Sequence, residues 1–276
     1  MKVIKAEKMG FCFGVKRAIE KVEQALKEEK KVYTFGALIH NNQFVEKMKK
    51  EGVEIVENEK EIKPGMTVIV RAHGLPPKTM KEIEKKGAAI IDATCPKVLN
   101  IQRLAKRFES NGKNVIIIGN SSHPEIIGIM GNLETGIVVR EPEEVDRLPD
   151  NLEEIAVVSQ TTEEQERFEK IVGILSKKFK NIEIYNTICE ATKERQDGAK
   201  KTTKEADAMI VLGGKHSSNT THIANICGQL VKTFHFETAD EIDGLDLKGV
   251  SKIGITAGAS TPDYLIEEAV QKLNQI

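Results

Sequence analysis

The chain has 276 residues, with 41 lysines and arginines against 42 aspartates and glutamates and a formal net charge of −1. That balance removes the basic footprint of a nucleic-acid or anionic-membrane binder, so any anionic ligand has to be held by local donors. No apolar run approaches the about 20 residues of a membrane span, and Met1-Lys2-Val3-Ile4-Lys5 lacks a signal peptide's apolar core, so a cytoplasmic protein is expected.

Short β-branched runs alternate with helical periodicity from end to end, the pattern of α/β units with parallel strands. Strands are expected at 32–35, 67–71, 89–92, 114–118, 155–159, 182–185, 208–212 and 252–256. Helices are expected near 14–29, 42–51, 77–86, 97–111, 162–179, 191–205, 218–232 and 261–274. The acidic stretch 141–154 reads as a surface connection. Ligands of open parallel sheets gather outside the carboxyl ends of the strands. Those ends carry His40, Arg71-Ala72-His73-Gly74, Ser122-His123-Pro124-Glu125, Gln160-Thr161-Thr162, Ser217-Ser218-Asn219 and Ala259-Ser260.

Cys12, Cys95 and Cys189 each stand at a turn opening a helix, where the macrodipole favours a thiolate. Taken alone, one such cysteine reads better as a small buried hydrophobe at a helix start than as a ligand. Their recurrence suggests a threefold repeat with one cysteine per α/β unit, divided as 1–95, 96–189 and 190–276. Cys227 differs, falling mid-helix in the apolar stripe Ile223, Ile226, Leu230 and Val231, which reads as core packing. Structural zinc usually draws cysteines in close pairs, and none occurs here. An iron–sulfur cluster on three thiolates would leave one iron without a protein ligand, a Lewis-acid position for substrate.

Pro124 keeps His123 out of helical geometry and puts Glu125 in the first turn of the next helix. There Glu125 fits a buried proton donor with a raised pKa, or a carboxylate favouring the helix dipole. Gly214-Lys215 is no phosphate-binding loop of the Walker type, since His216 stands where Ser or Thr is needed. His216, His222 and His235 read as structural or surface residues. No flavin or nicotinamide fingerprint is present, so electrons for a redox reaction would come from outside.

Gly10-Phe11-Cys12-Phe13-Gly14-Val15, Arg71-Ala72-His73-Gly74, Asp92-Ala93-Thr94-Cys95-Pro96, His123-Pro124-Glu125, Ser159-Gln160-Thr161-Thr162, Ser217-Ser218-Asn219 and Thr256-Ala257-Gly258-Ala259-Ser260-Thr261-Pro262 together resemble the 4-hydroxy-3-methylbut-2-enyl diphosphate reductase family. The resemblance spans essentially the whole chain. It implies three α/β units around a pseudo-threefold centre, with one 4Fe-4S cluster on Cys12, Cys95 and Cys189. The implied reaction removes the substrate's allylic hydroxyl by two-electron reduction and protonation. It yields isopentenyl and dimethylallyl diphosphate, the last step of the methylerythritol phosphate route to isoprenoids. The diphosphate would be bound by His40, His73, His123, Ser217, Ser218, Asn219 and Ser260. Glu125 would deliver the proton, with Thr161 completing the relay and touching substrate, and the electrons would come from a ferredoxin or flavodoxin. His216 and His222 depart from the family's usual residues, and no further domain is expected after Ile276. A quinolinate synthase, an iron–sulfur sensor or carrier, and a zinc hydrolase are the rival readings.

Overall fold

Apolar runs without alternation become strands buried on both faces, as parallel sheets flanked by helices require. The computed structural model describes residues 1–28 and 31–276. In chain order the elements are Lys2–Lys5 (β1), Phe13–Glu28 (α1), Val32–Phe35 (β2), Asn42–Lys50 (α2), Val53–Val56 (β3), Thr67–Val70 (β4), Pro77–Lys85 (α3), Ala89–Asp92 (β5), Pro96–Ser110 (α4), Asn114–Ile118 (β6), Pro124–Met130 (α5), Gly136–Val139 (β7), Ile155–Ser159 (β8), Gln165–Lys178 (α6), Ile182–Ile184 (β9), Glu190–Glu205 (α7), Ala208–Leu212 (β10), Ser218–Gly228 (α8), Lys232–Phe236 (β11), Lys252–Ala257 (β12) and Asp263–Gln275 (α9). Glu29, the last residue of the expected first helix, lies outside the described residues.

Among the described residues the strands form three four-stranded sheets, ordered β3-β2-β4-β5, β7-β6-β8-β9 and β11-β10-β12-β1, with every pairing parallel. The expected class, three similar α/β units with parallel sheets, is what the chain adopts. The last sheet takes its fourth strand from the N-terminus, because β1 pairs with β12 in the register Lys2↔Lys252. Residues 2–5, placed by sequence within a segment 1–95, thus join the sheet of the final segment. By packing the chain divides into two compact units. The first comprises Met1–Lys16, Ile39–Met48 and Glu190–Ile276; the second comprises Arg17–Leu38 and Lys49–Cys189 and holds two of the sheets.

Period-two alternation divides each central strand between two cores. In the second unit, Ile116 and Ile118 of β6 pack with Val157, Phe168, Ile171 and Leu175. Val115 and Ile117 turn to the other face, against Ile101, Ala105, Phe108 and Val158. In the first unit, Ile210 and Leu212 of β10 face Ile255, Ile266 and Leu273. Met209 and Val211 face Ala199, Ile223 and Cys227.

Several elements depart from expectation. The strands β1, β3, β7 and β11 had no counterpart in the sequence reading. Helix α8 ends at Gly228, four residues short of the expected 232, because Lys232 is drawn into β11. Leu230 is consequently 57 % exposed, and Cys227 is the penultimate helical residue, yet fully buried as expected for core packing. Helix α6 begins at Gln165 instead of 162, because Gln160–Glu163 form a turn closed by the Glu163 N–H on the Gln160 carbonyl. Within 141–154 a short 3-10 helix, Pro142–Arg147, buries Val145. Among the described residues no helix is long and apolar enough to cross a membrane.

Two glycines test the packing. A Cβ on Gly131 would stand 2.5 Å from the Pro76 ring, whereas nothing lies within 4 Å of one on Gly173, at an exposed position of α6. Gly131→Ala should cost about 1–3 kcal/mol through overpacking. Gly173→Ala should gain about 0.4–1 kcal/mol from helix propensity and a less free unfolded chain. Urea unfolding of the two variants should show midpoints moving in opposite directions.

Candidate functional site

In each sheet the two central strands end level. Phe35 pairs with Val70, Ile118 with Ser159 and Leu212 with Ala257. The next residue on the first strand of each pair is a glycine, and its N–H donates to the neighbouring edge strand: Gly36 to Val56, Gly119 to Val139, Gly213 to Phe236. At Gly36 the backbone has φ +71°, and the Arg71 guanidinium fills the space a Cβ would take. Gln160 does the same over Gly119, and Thr261 and Thr220 over Gly213.

The second strand of each pair leads into a turn that repeats three times. The N–H of the fourth residue past the strand closes it on the carbonyl of the first: Gly74 on Arg71, Glu163 on Gln160 and Thr261 on Gly258. The intervening second residue offers its carbonyl to a cysteine N–H. Cys95 donates to Ala72 (2.9 Å), Cys189 to Thr161 (2.9 Å) and Cys12 to Ala259 (3.1 Å). One main-chain bond therefore fixes each thiol at the carboxyl end of a sheet. All three cysteines are partly exposed, and none of them is in a disulfide. Cys227 is buried, accepts from the Thr203 hydroxyl at 3.3 Å, and has its thiol pKa raised by burial.

Within the second unit, six expected site residues lie along one chain of contacts. Cys95 hangs from Ala72, next to His73, whose ring meets that of His123 edge-on with centroids 5.2 Å apart. His123 caps α5, its Nδ1 accepting from the Glu125 N–H at 3.2 Å. That bond needs a bare Nδ1, so the neutral ring carries its proton on Nε2. The Glu125 carboxyl takes the Thr161 N–H on Oε1 and the Thr161 hydroxyl on Oε2, both at 2.6 Å. Thr161 in turn holds Cys189. Glu125 is 1 % exposed and Thr161 8 %, so the threonine is the outer member of the pair. Burial lifts the Glu125 pKa to about 7, although both bonds from Thr161 pull it down. A carboxyl titrating there, bonded to a hydroxyl that both gives and takes hydrogen bonds, is equipped to move a proton outward.

The other expected residues collect in the first unit. Cys12 hangs from Ala259, next to Ser260, whose hydroxyl donates to that of Ser217 at 3.3 Å. Ser217 caps the eleven-residue α8, accepting from the Thr220 N–H. Asn219, in the first turn, is 3 % exposed, and neither of its amide atoms has a partner among the described residues. His40 reaches the same group through its carbonyl, against which Gly214 is pressed so closely that a Cβ there would come within 2.2 Å. Hydroxyls, an orphaned amide and a helix N-terminus form a set of donors for an anionic oxygen.

Sequence reasoning quoted Gln160 within a motif but gave it no role. Its Oε1 accepts from the Asn120 N–H at 3.1 Å and its Nε2 donates to the Thr162 hydroxyl at 2.6 Å, joining the loop that carries His123 to the turn that carries Thr161. His216 is exposed, and His235 is occupied with the Gly213 carbonyl at 3.0 Å.

Residues 3–274 match the model of the family described as LytB protein. The chain belongs to the LytB family. Among its relatives, proteins named 4-hydroxy-3-methylbut-2-enyl diphosphate reductase from Caldanaerobacter subterraneus subsp. tengcongensis and Aquifex aeolicus are 43 % and 42 % identical. The alignments cover 100 % and 99 % of this chain and 98 % and 96 % of those proteins. The solved structure of the E-1-hydroxy-2-methyl-but-2-enyl-4-diphosphate reductase from Plasmodium falciparum superposes with a TM-score of 0.95 at 32 % identity, covering 99 % of this chain and 88 % of that one. A second solved structure, of (E)-4-hydroxy-3-methyl-but-2-enyl diphosphate reductase, the terminal enzyme of the non-mevalonate pathway, is 41 % identical with a TM-score of 0.73 over the full length of both chains. The resemblance that the motifs carried is thus a family relationship, and the chain shares the fold of those LytB structures.

The Glu125 pKa has a consequence for stability. Between its ordinary value of 4.5 and about 7 the folded chain keeps a proton that the unfolded chain has lost, so this residue's contribution falls as pH rises through that window. From pH 5 to 8, wild type should lose up to roughly 3 kcal/mol relative to Glu125→Gln. Paired urea titrations across that range measure the difference, which cancels the opposing trend of carboxylates whose pKa is lowered.

Proposed function

We propose that this chain is a 4-hydroxy-3-methylbut-2-enyl diphosphate reductase, an oxidoreductase of isoprenoid synthesis acting on a diphosphate substrate. The observation that carries the reading is the cysteine turn repeated in three sheets. Three partly exposed thiols outside any disulfide, set by the same main-chain bond, with the fourth cysteine sequestered in the core, make a donor set suited to one 4Fe-4S cluster. Such a cluster supplies electrons singly and offers a Lewis-acidic iron that lacks a protein ligand.

The chain's own residues do the rest. Ser217, Ser218, Asn219 and Ser260, with His40, His73 and His123, bind the diphosphate through hydrogen-bond donors. Glu125 holds a proton near neutral pH because it is dry. It passes that proton through Thr161, or through the bound diphosphate, to the allylic hydroxyl. The C–O bond breaks, the hydroxyl leaves as water, and two electrons with a second proton complete the product. Protonation at either end of the allylic system gives isopentenyl or dimethylallyl diphosphate. The electrons come from a ferredoxin or flavodoxin. A cytoplasmic location suits four cysteines that form no disulfide.

Anaerobic reconstitution with iron and sulfide, followed by metal analysis, visible spectra and turnover with a chemical reductant, tests this. Serine at Cys12, Cys95 or Cys189 should abolish the cluster, whereas Cys227→Ser should keep both cluster and turnover. Glu125→Gln should keep the spectrum and lose about 10²–10⁴-fold in turnover, the usual worth of a general acid. A wild-type protein that takes up no iron and sulfide overturns the reading.

A further inference from the structure

Two arginines bond to the main chain just ahead of a cysteine, which the donor set alone does not explain. Arg195 is six residues past Cys189 on α7 and only 5 % exposed. Its Nη1 donates to the Ala191 carbonyl, one turn back in its own helix, and its Nη2 to the Gly10 carbonyl, two residues before Cys12, each at 2.7 Å. Arg17 is five residues past Cys12 on α1, and its Nη1 donates to the Thr94 carbonyl, immediately before Cys95, at 3.0 Å. The helix that follows one cysteine thus supplies a guanidinium to the segment that leads into another. Arg195 donates to peptide carbonyls from a buried position and Arg17 from a part-buried one, although ordering so long a side chain costs rotamer freedom.

We propose that Arg17 and Arg195 are positioning residues for the iron–sulfur cluster. They lock the approaches to Cys95 and Cys12, so that retention of the cluster depends on two side chains that do not ligate it. This rests on the cluster reading above. The two differ in what can replace them. Arg17 makes one bond to one carbonyl, which a lysine ammonium can imitate. Arg195 spans two carbonyls with a rigid fork, which lysine cannot.

The test reconstitutes wild type, Arg17→Met, Arg17→Lys, Arg195→Met and Arg195→Lys anaerobically. It follows bleaching of the visible cluster absorbance by a chelator, and records the thermal midpoint of each apo-protein. Lys201→Met, which removes the exposed ion pair to Glu7 on the same helix, and the overpacked Gly131→Ala serve as comparators. Both methionine variants and Arg195→Lys should release iron about 10–100-fold faster than wild type, the range seen when groups that orient metal ligands are removed. Arg17→Lys and Lys201→Met should stay within about threefold of wild type. If release simply follows the apo midpoint across the whole set, Gly131→Ala included, or if both lysine variants behave alike, the positioning role is overturned. A wild type that takes up no iron and sulfide overturns the cluster reading and this proposal with it.

Discussion

The constraint on which the rest depends is the level ending of paired parallel strands. Because β2 and β4, β6 and β8, and β10 and β12 run out together, the same turn follows β4, β8 and β12, and its second carbonyl is always available to a cysteine N–H. A slip of one residue in any pair would move the carbonyl. It would also turn Ile116 and Ile118, or Ile210 and Leu212, out of one core and into the other. Registers held by two-sided burial are strongly specified, so the packing that stabilises each sheet also sets each thiol. Structure and chemistry are fixed by one requirement.

The repeated backbone carries different side chains. Third past the strand, the turn presents His73, Thr162 and Ser260; fifth past the paired central strand (β2, β6 and β10) stand His40, His123 and Ser217. The main-chain bonds of the turn do not depend on these side chains, which left them free to diverge. The second unit brings together His73, His123, Glu125 and Thr161, which include the residues assigned to proton transfer in the proposed function. The first unit concentrates hydroxyl and amide donors around the start of α8. None of the expected ligand-binding side chains is a lysine or arginine, in keeping with a chain whose overall charge is nearly balanced.

What the sequence revealed follows the range of the interactions involved. Runs such as Val115-Ile116-Ile117-Ile118 announce a doubly buried strand because the signal is local. The strands β1, β3, β7 and β11 are short and partly exposed, and β1 is flanked by lysines. Their existence depends on a partner, which for β1 is about 250 residues away. The stripe through Ile226, Leu230 and Val231 looked helical for the same reason in reverse: pairing of Lys232 with Ala208 ended the helix where local periodicity would have continued it. The expected site residues could be picked out because they follow strand ends beside glycine, proline and cysteine. Arg17 and Arg195 could not be, since their partners are 77 and 185 residues away and nothing near either arginine signals a buried carbonyl.

Glu125 shows how two opposed effects are settled by size. It occupies the first turn of α5, where a helix N-terminus stabilises a carboxylate by about 0.3–1 kcal/mol. Thr161 adds two hydrogen bonds that also favour the anion. Yet the pKa climbs from 4.5 to about 7, a net penalty on the anion of roughly 3 kcal/mol, so the desolvation cost exceeds the helix and both bonds combined. A shallower position would have left an ordinary carboxylate, ionised at neutral pH and useless as a donor. The fold instead buries Glu125 behind Thr161, which at 8 % exposure is itself buried but lies nearer the surface. In the proposed acid role this burial is decisive, because a carboxyl that water could reach by local opening would titrate as an ordinary carboxylate and arrive without its proton.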